Sequence, residues 1–143
     1  MDELDRGILG LLGADARMSV ATLSRRLKVA RSTVQARLER LESNGTIAGY
    51  TLKLGEALRE GRLRASILLT IELRAQAAIL ARLKSISEVE RVFSTSGRFD
   101  LLIQVACSGA QVLDQVLDQI GAITGVRASE SLIHLSTKID RAV

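Results

Sequence analysis

The chain has 143 residues, of which 47% are apolar and 25% charged, a balance typical of globular proteins and unlike that of disordered or membrane-spanning chains. Its longest apolar runs have the length of a strand, far short of the roughly 20 apolar residues of a membrane span. The net charge of +4 is unevenly distributed, because residues 17–40 carry seven basic side chains and one acidic, whereas residues 65–143 carry eight of each. We therefore expect a polyanionic partner to bind the first third of the chain.

The first residues and the cysteine content favour a cytoplasmic protein. Asp2, Glu3 and Asp5 stand where a secretory signal would have basic residues. The single cysteine, Cys107, has no partner for a disulfide or a zinc site, which suits a reducing compartment and a place in the core. We expect no metal, no cofactor and no membrane association.

Three short helices are predicted at the start of the chain. Apolar residues recur at helical spacing between Ile8 and Leu12, which indicates the first helix. Ser19 is the expected N-cap of the second helix, and Asn44–Gly45 is the expected stop of the third. The short connection between the second and third helices is the spacing of a helix-turn-helix, whose last helix enters the DNA major groove.

The polar side chains of the third helix are suited to double-stranded DNA. Arginine pairs bidentately with guanine and glutamine with adenine, while serine and threonine bind bases or phosphate. We expect base contacts from the start of this helix and phosphate contacts from the helix before it. The predicted DNA-binding residues are Arg25, Arg26, Lys28, Arg31, Ser32, Thr33, Gln35, Arg37 and Arg40. The alternative, a solvated basic face on an ordinary three-helix bundle, is disfavoured by the spacing of the three helices.

The rest of the chain alternates as strands and helices of a second domain. Residues 46–54 alternate apolar and polar, which predicts a β-wing that completes a first domain of residues 1–54. Residues 55–64 have weak periodicity and form the expected linker to a second domain of residues 65–143. Strands are predicted at 65–73, 89–95, 101–107 and 126–139, and helices at 76–85 and 111–123. The predicted class is α+β, a winged helix-turn-helix followed by a ferredoxin-like β-α-β-β-α-β domain.

The two helices are expected to pack on one face of that sheet, and the other face is expected to pack against something else. Leu68, Leu102, Ile133 and Leu135 would leave apolar groups exposed there. A two-fold homodimer would cover them and present two recognition helices to a pseudo-palindromic site. The alternative is that the linker or the wing packs on this face.

Several segments together resemble the Lrp/AsnC family of feast/famine regulators over nearly the whole chain. Asp5–Leu9 is similar to the family's opening D-R-x-I-L, and Asp15–Ser19 to its D-x-R-x-S. Residues 32–50 resemble its recognition helix with the exit G-x-I-x-G-Y. In the second domain, Ser96–Leu102 resembles its T-G-x-Y/F-D-L-L turn and Gly125–Val126 its G-V before the last strand.

The resemblance implies a sequence-specific transcriptional regulator that responds to an amino acid or related metabolite. It also implies a homodimer, assembling further into tetramers or octamers, and an effector site that includes Gly97, Arg98, Phe99 and Asp100. A plain hairpin turn is the alternative for those four residues. One departure is Ala30, which stands where the family has a serine N-cap and so lacks a cap worth about 1 kcal/mol.

The sequence offers no catalytic set, so we expect a protein that is not an enzyme. Its only histidine, His134, alternates with apolar and polar residues on the last predicted strand, as a structural or interface residue would. Siroheme decarboxylases that resemble this family are the rival class. A stand-alone metabolite-binding module that has lost DNA binding is a third class, disfavoured by the intact basic stripe from Arg25 to Arg40.

Overall fold

The structure is a computed structural model that describes residues 1–59 and 61–141. The chain forms two compact units, one comprising Met1–Lys53 with Arg141 and the other Leu54–Asp140. Glu60 of the predicted linker, and the last two residues of the predicted second domain, lie outside the described residues. Within the described part of the chain, no helix combines the length and apolarity needed to cross a bilayer.

The first unit contains three helices, α1 (Glu3–Ala14), α2 (Val20–Leu27) and α3 (Arg31–Ser43). Ser19 caps α2 as predicted, because its hydroxyl accepts a hydrogen bond from the Thr22 amide at 3.1 Å. The predicted stop at Asn44–Gly45 is confirmed. The fully buried core of this unit draws on all three helices and consists of Ile8, Leu23, Val34 and Leu41.

The predicted β-wing is wrong, since residues 46–54 form no strand. Ile47 instead turns back to α3, where its amide donates to the Leu41 carbonyl oxygen at 2.9 Å and its side chain packs on the helical core. Tyr50 donates its hydroxyl to the Glu42 carboxylate at 3.0 Å. A strand needs a neighbour to complete its backbone hydrogen bonds, and the described part of this unit contains no second strand. The alternation in this segment therefore does not produce a strand.

The second unit has the predicted β-α-β-β-α-β order, which confirms the α+β class. Four antiparallel strands form one sheet in the order β2-β3-β1-β4, with β1 central beside β3. A 3₁₀ turn over Leu73–Ala75 follows β1. The elements of this unit are α4 (Glu56–Arg59), β1 (Leu63–Ile71), α5 (Gln76–Lys84), β2 (Val89–Ser94), β3 (Leu101–Cys107), α6 (Ala110–Gly121) and β4 (Val126–Ile133).

Alternation in β1 and β3 decides which face of the sheet the helices cover. Every second residue of each strand is buried, beginning at Ala65 in β1 and at Leu101 in β3. These side chains pack with Ile79 and Leu83 of α5 and with the apolar stripe of α6. The core of this unit therefore lies between one sheet face and the two helices, with Cys107 buried in it as predicted.

Two strand ends differ from the prediction because a strand extends only as far as its partner. The strand β1 begins at Leu63, so the predicted linker is shorter and holds the single turn of α4. The strand β4 ends at Ile133 rather than at residue 139, since its last bond to β1 runs from the His134 amide to the Arg64 carbonyl oxygen at 2.9 Å. Leu73, the last residue of the first predicted strand, lies beyond β1 in the 3₁₀ turn and is 77% exposed.

The face of the sheet opposite the helices, here the open face, is apolar in a different pattern from the one predicted. Leu68 pairs with Leu102, and Leu102 pairs with Phe93, so the three share this face. Ile133 instead pairs with Ala65 on the helix side, and Leu135 lies beyond β4 with 94% of its surface exposed. The prediction for these two residues was wrong, because pairing with β1 places Ile133 on the helix side and Leu135 lies beyond the end of the strand. Leu132, paired with Ser66, lies on the open face in their place.

Candidate DNA-binding surface and effector cleft

The helix α3 buries one face and exposes the other. Val34 and Leu41 are buried in the core, whereas Arg31, Ser32 and Gln35 are exposed and Thr33 is half-buried. At 100° per residue, the positions opposite Val34 and Leu41 are Ser32, Ala36 and Glu39, with Gln35 beside them. Ser32 and Gln35 therefore lie on or next to the exposed ridge of this helix, whereas Arg31 and Thr33 lie about 100° to either side of Ser32 in its first turn.

Glu39 is an exposed member of this ridge that the sequence analysis did not select. Attention to basic side chains excluded it, although its spacing of seven residues from Ser32 places the two on one helix face. A carboxylate at such a position can accept a hydrogen bond from the amino group of cytosine. Glu39 is therefore a further candidate for base recognition.

The end of α2 and the turn after it carry exposed cations. Lys28 closes α2 in the left-handed region, with φ of 57°, and the Ser24 hydroxyl donates to the Val29 carbonyl oxygen at 2.5 Å. Arg25 and Arg26, in the last turn of α2, are exposed like Lys28. Three positive charges thus lie on one short segment.

The start of α3 is open to an anion. Ala30 is the N-cap residue, and its side chain makes no cap hydrogen bond. The first amides of a helix have no partner inside the helix, and they favour a bound phosphate when no side chain occupies them. The missing serine cap therefore leaves backbone donors beside the exposed Arg31 and Ser32.

Arg37 and Arg40 do not join the other predicted DNA-binding residues but contact the start of α1. Arg37 Nη1 lies 2.5 Å from Asp2 Oδ2 and 3.3 Å from Asp5 Oδ1. Arg40 Nη2 lies 2.7 Å from Asp5 Oδ2. Asp2 and Asp5 also cap α1 reciprocally, each accepting a hydrogen bond from the other's backbone amide. The four side chains form one cluster, here the α1–α3 clasp.

The clasp keeps its carboxylates ionised. The hydrogen bond from Arg37, with that from the Asp5 amide, lowers the pKa of Asp2 from 3.8 to about 2. Burial would raise the pKa of Asp5, but hydrogen bonds from the Asp2 amide and from Arg37 outweigh it, and the pKa is lowered. The hydrogen bonds to Asp2 and Asp5 raise the pKa of Arg37.

In the second unit, a cleft of about 630 Å³ lies at the end of β1 and the start of β4. Its charged lining residues are Glu72, Arg74, Asp100 and Arg127, and Thr70, Ile71 and Leu73 complete the wall. Glu72 and Arg127 form a loose ion pair, with Oε1 and Nε 3.9 Å apart. The cleft therefore offers both signs of charge, which suits the carboxylate and the ammonium group of an amino acid.

Of the four predicted effector residues, Asp100 alone lines this cleft. Its carboxylate accepts a hydrogen bond from the Ile71 amide at 2.8 Å, which fastens the β2–β3 turn to the end of β1. Gly97 adopts a left-handed φ of 109° in the turn. The Arg98 guanidinium lies 5.0 Å from the Phe99 ring centroid, and Arg98 also lies 3.7 Å from the Glu130 carboxylate. Helical and strand periodicity could not have indicated the other residues of the cleft, because they come from two segments far apart in the chain, residues 70–74 and Arg127.

Cys107 and His134, the two side chains that could have taken part in catalysis, lie in surroundings typical of structural residues. Burial, followed by the charge of Glu88, raises the pKa of the Cys107 thiol, which disfavours the reactive thiolate. His134 shares a hydrogen bond with the Ser66 hydroxyl, with Nε2 and Oγ 2.8 Å apart. Among residues 1–59 and 61–141, no cluster of three histidine, cysteine or acidic side chains is arranged to hold a metal ion.

Both units match family models. The AsnC-type helix-turn-helix domain matches residues 1–42, and the Lrp/AsnC ligand binding domain matches residues 64–143. The transcriptional regulator LrpA of Mycobacterium tuberculosis is 30% identical, over 99% of this chain and 95% of its own length. The regulatory protein AsnC of Escherichia coli is 29% identical, over 100% of this chain and 95% of its own.

Solved structures agree with these matches. The structure of E. coli AsnC superposes with a TM-score of 0.91 at 28% identity, covering 100% of this chain and 97% of that one. A transcriptional regulator of Neisseria meningitidis, solved as a complex with L-Met, superposes with a TM-score of 0.88 at 26% identity, covering 98% and 93%.

Proposed function

This chain belongs to the Lrp/AsnC family of transcriptional regulators, and from that premise we propose which of its surfaces bind DNA and effector. The first turn and the exposed ridge of α3 read bases in the major groove through Arg31, Ser32, Thr33 and Gln35, with Glu39 as a further contact. The exposed cations Arg25, Arg26 and Lys28 bind phosphates on either side of the groove. The observation that carries this proposal is that α3 is buried on its apolar face alone and presents these polar side chains to solvent.

Replacing a base-reading residue and replacing a phosphate-binding residue should cause different defects in DNA binding. Gln35→Ala is expected to relax the preference at one base pair of each half-site, worth about 1–3 kcal/mol. Arg25→Gln is expected to weaken binding equally on all sequences and to reduce the slope of log K against log salt by about 0.9. Selection from a random DNA library, followed by salt titration on the selected duplex, measures both. Gln119→Ala, an exposed glutamine on α6, is the matched control.

The result that would end the DNA-binding proposal is an affinity of the unaltered chain for duplex DNA that does not change with salt. Equal base preferences for Gln35→Ala and the unaltered chain would remove Gln35 from the reading surface. Loss of binding in the Gln119→Ala control would show that the assay reports folding instead.

We infer that the open face of the sheet joins two copies of the chain. Leu68, Leu102, Phe93 and Leu132 lie on this face, and Phe93 and Leu132 are 45% and 52% exposed. A contiguous apolar patch of this kind marks an interaction surface. A two-fold pair would also present two copies of α3 to a pseudo-palindromic site. Leu102→Glu should give monomers in sedimentation, whereas Leu73→Glu, on an exposed leucine elsewhere, should not.

We propose that the cleft beside Asp100 binds an amino acid. Arg74 and Arg127 are placed to hold its carboxylate, and Glu72 and Asp100 its ammonium group. The L-Met complex of the N. meningitidis regulator supports this class of effector. Calorimetric titration with each of the common amino acids tests it. Arg127→Gln should weaken binding at least tenfold, and binding of the same strength in that variant would place the effector elsewhere.

We propose further that the chain acts in the cytoplasm and has no enzymatic activity. The relatives named above are transcriptional regulators, and nothing in their names supports the rival siroheme decarboxylase. A tetrapyrrole absorbance band that persists through gel filtration after incubation with siroheme would favour the rival class.

A further inference from the structure

We propose that Asp5 is a positioning residue for DNA recognition: through Arg37 and Arg40 it fixes the rotation of α3 about its own axis, and these two arginines do not contact DNA. The inference rests on the proposed role of α3 in the major groove. It reassigns two of the nine residues that the sequence marked for DNA binding and brings in an acid that lies more than thirty positions earlier in the chain.

Asp5 is a charged side chain with no exposed surface, so its contacts decide whether it is tolerated there. Both carboxylate oxygens are used, Oδ2 by the Asp2 amide at 3.2 Å and by Arg40 at 2.7 Å, and Oδ1 by Arg37 at 3.3 Å. A buried carboxylate is stable in a fold only when it is paired and hydrogen-bonded in this way. The clasp is therefore an integral part of the domain and differs from a surface ion pair.

The ion pairs of the clasp fix the rotation of α3 about its axis, which the apolar core does not fix by itself. Val34 and Leu41 hold α3 against α1 and α2, but apolar contact is not directional and allows a helix to rotate slightly in place. Arg37 and Arg40 lie one turn apart on the same helix and end on the same carboxylate, so a rotation of α3 would break both contacts.

Small rotations matter at the DNA surface. Side-chain tips lie about 5–6 Å from a helix axis, so a rotation of about 20° moves them by about 2 Å. A hydrogen bond to a base edge fails over a smaller displacement. Ser32 and Gln35 on the exposed ridge would then lose their register with the bases, while flexible cations would still reach phosphates.

The charges of the clasp also argue against phosphate contact. Arg37 and Arg40 each lie within ion-pair distance of a carboxylate, and with Asp2 and Asp5 the cluster has two charges of each sign. A guanidinium already paired in this way gains little from a phosphate and adds no net charge to the surface. The exposed cations Arg25 and Arg26 differ, since neither is in an ion pair within the described residues.

The slope of log K against log salt separates positioning from phosphate contact, because each neutralised phosphate contributes about 0.9. The full chain, Arg37→Gln, Arg40→Gln and the double variant are compared on the selected duplex and on random DNA, with Arg25→Gln as the matched control. We expect the two clasp variants to keep the slope of the unaltered chain and to lose at least tenfold of the preference for selected over random DNA. Arg25→Gln should lower the slope and keep that preference.

A fall of about 0.9 in slope for Arg37→Gln or Arg40→Gln, with the sequence preference retained, would make that arginine a phosphate contact and overturn the proposal. Salt-independent binding by the unaltered chain would instead overturn DNA binding itself, so the two failures are distinct.

Asp5→Asn provides an opposite test, because it removes the ion pair that Arg40 makes with Asp5 and leaves Arg37 paired with Asp2, while keeping a polar group at the cap. The slope should become steeper as the freed Arg40 reaches a phosphate, while the preference for selected DNA falls. An unchanged slope and preference in a folded Asp5→Asn chain would contradict a positioning role. Should this variant unfold, as read from Tyr50 fluorescence, the arginine variants decide the question. Asp15→Asn, an exposed acid just after α1, is the control.

Discussion

Replacing Leu23 by alanine is expected to destabilise the helix-turn-helix unit strongly and to leave the stability of the sheet unit unchanged. Leu23 is fully buried with Ile8, Val34 and Leu41 in the core of the first unit. The core of the second unit consists of other residues, so the cavity forms in one of the two clusters only. Removing a leucine side chain from such a site costs about 2–5 kcal/mol.

That cost is large against the stability of so small a unit. At about 0.05–0.15 kcal/mol per residue, roughly 53 residues give a free energy of unfolding of about 3–8 kcal/mol. A loss near 3 kcal/mol therefore removes between a third and all of it. With an m value of about 1 kcal/mol/M, the urea midpoint of this unit should fall by about 3 M.

The chain provides its own probe for this experiment. It has no tryptophan and one tyrosine, Tyr50, whose hydroxyl is bonded to Glu42 of α3. Tyrosine fluorescence therefore reports on the first unit, while far-UV circular dichroism reports on both units, so the second unit is seen as the signal that remains after the fluorescence change. Leu52→Ala, at a leucine that is 83% exposed, is the matched control and should change stability by less than about 0.5 kcal/mol. Loss of both signals at one urea concentration, or a cost below about 1 kcal/mol for Leu23→Ala, would refute the reasoning.

Three further outcomes are expected. Because the pKa of Asp2 is lowered in the folded chain, its ionised carboxylate stabilises the fold above pH 3.8, and this contribution is lost as pH falls toward about 2. The difference in melting temperature between the unaltered chain and Arg37→Gln should therefore narrow over that window. A constant difference would contradict this. Gly125→Ala should destabilise the sheet unit by more than about 1 kcal/mol, because φ is +100° and the new Cβ would lie 2.3 Å from an alanine Cβ; a chemical denaturation curve matching that of the unaltered chain would count against it. Asp100→Ala leaves the Ile71 amide without its acceptor, which should cost about 1–3 kcal/mol and speed hydrogen exchange at that amide, and unchanged exchange would show that another acceptor replaces it.

Local signals were sufficient for the helices and for the order of elements. Ser19 was identified as an N-cap and Asn44–Gly45 as a helix stop from their own side chains and backbone preferences, and both are confirmed. The missing cap at Ala30 was equally visible, since capping involves residues at most three apart. The sequence likewise placed Leu68 and Leu102 on the sheet face away from the helices, where the structure has them.

Partners distant in the chain decided the rest. Arg37 and Arg40 have the composition of DNA contacts, and only the folded unit brings Asp2 and Asp5, more than thirty positions earlier, against them. Residues 46–54 have the alternation of a strand, yet they form none because the described part of their unit has no strand to pair with. Periodicity and caps depend on neighbours within one turn or one pleat, so the sequence determined them by itself. The ends of strands, the partners of charges and the walls of a cleft depend on long-range contacts, which only the tertiary structure supplies.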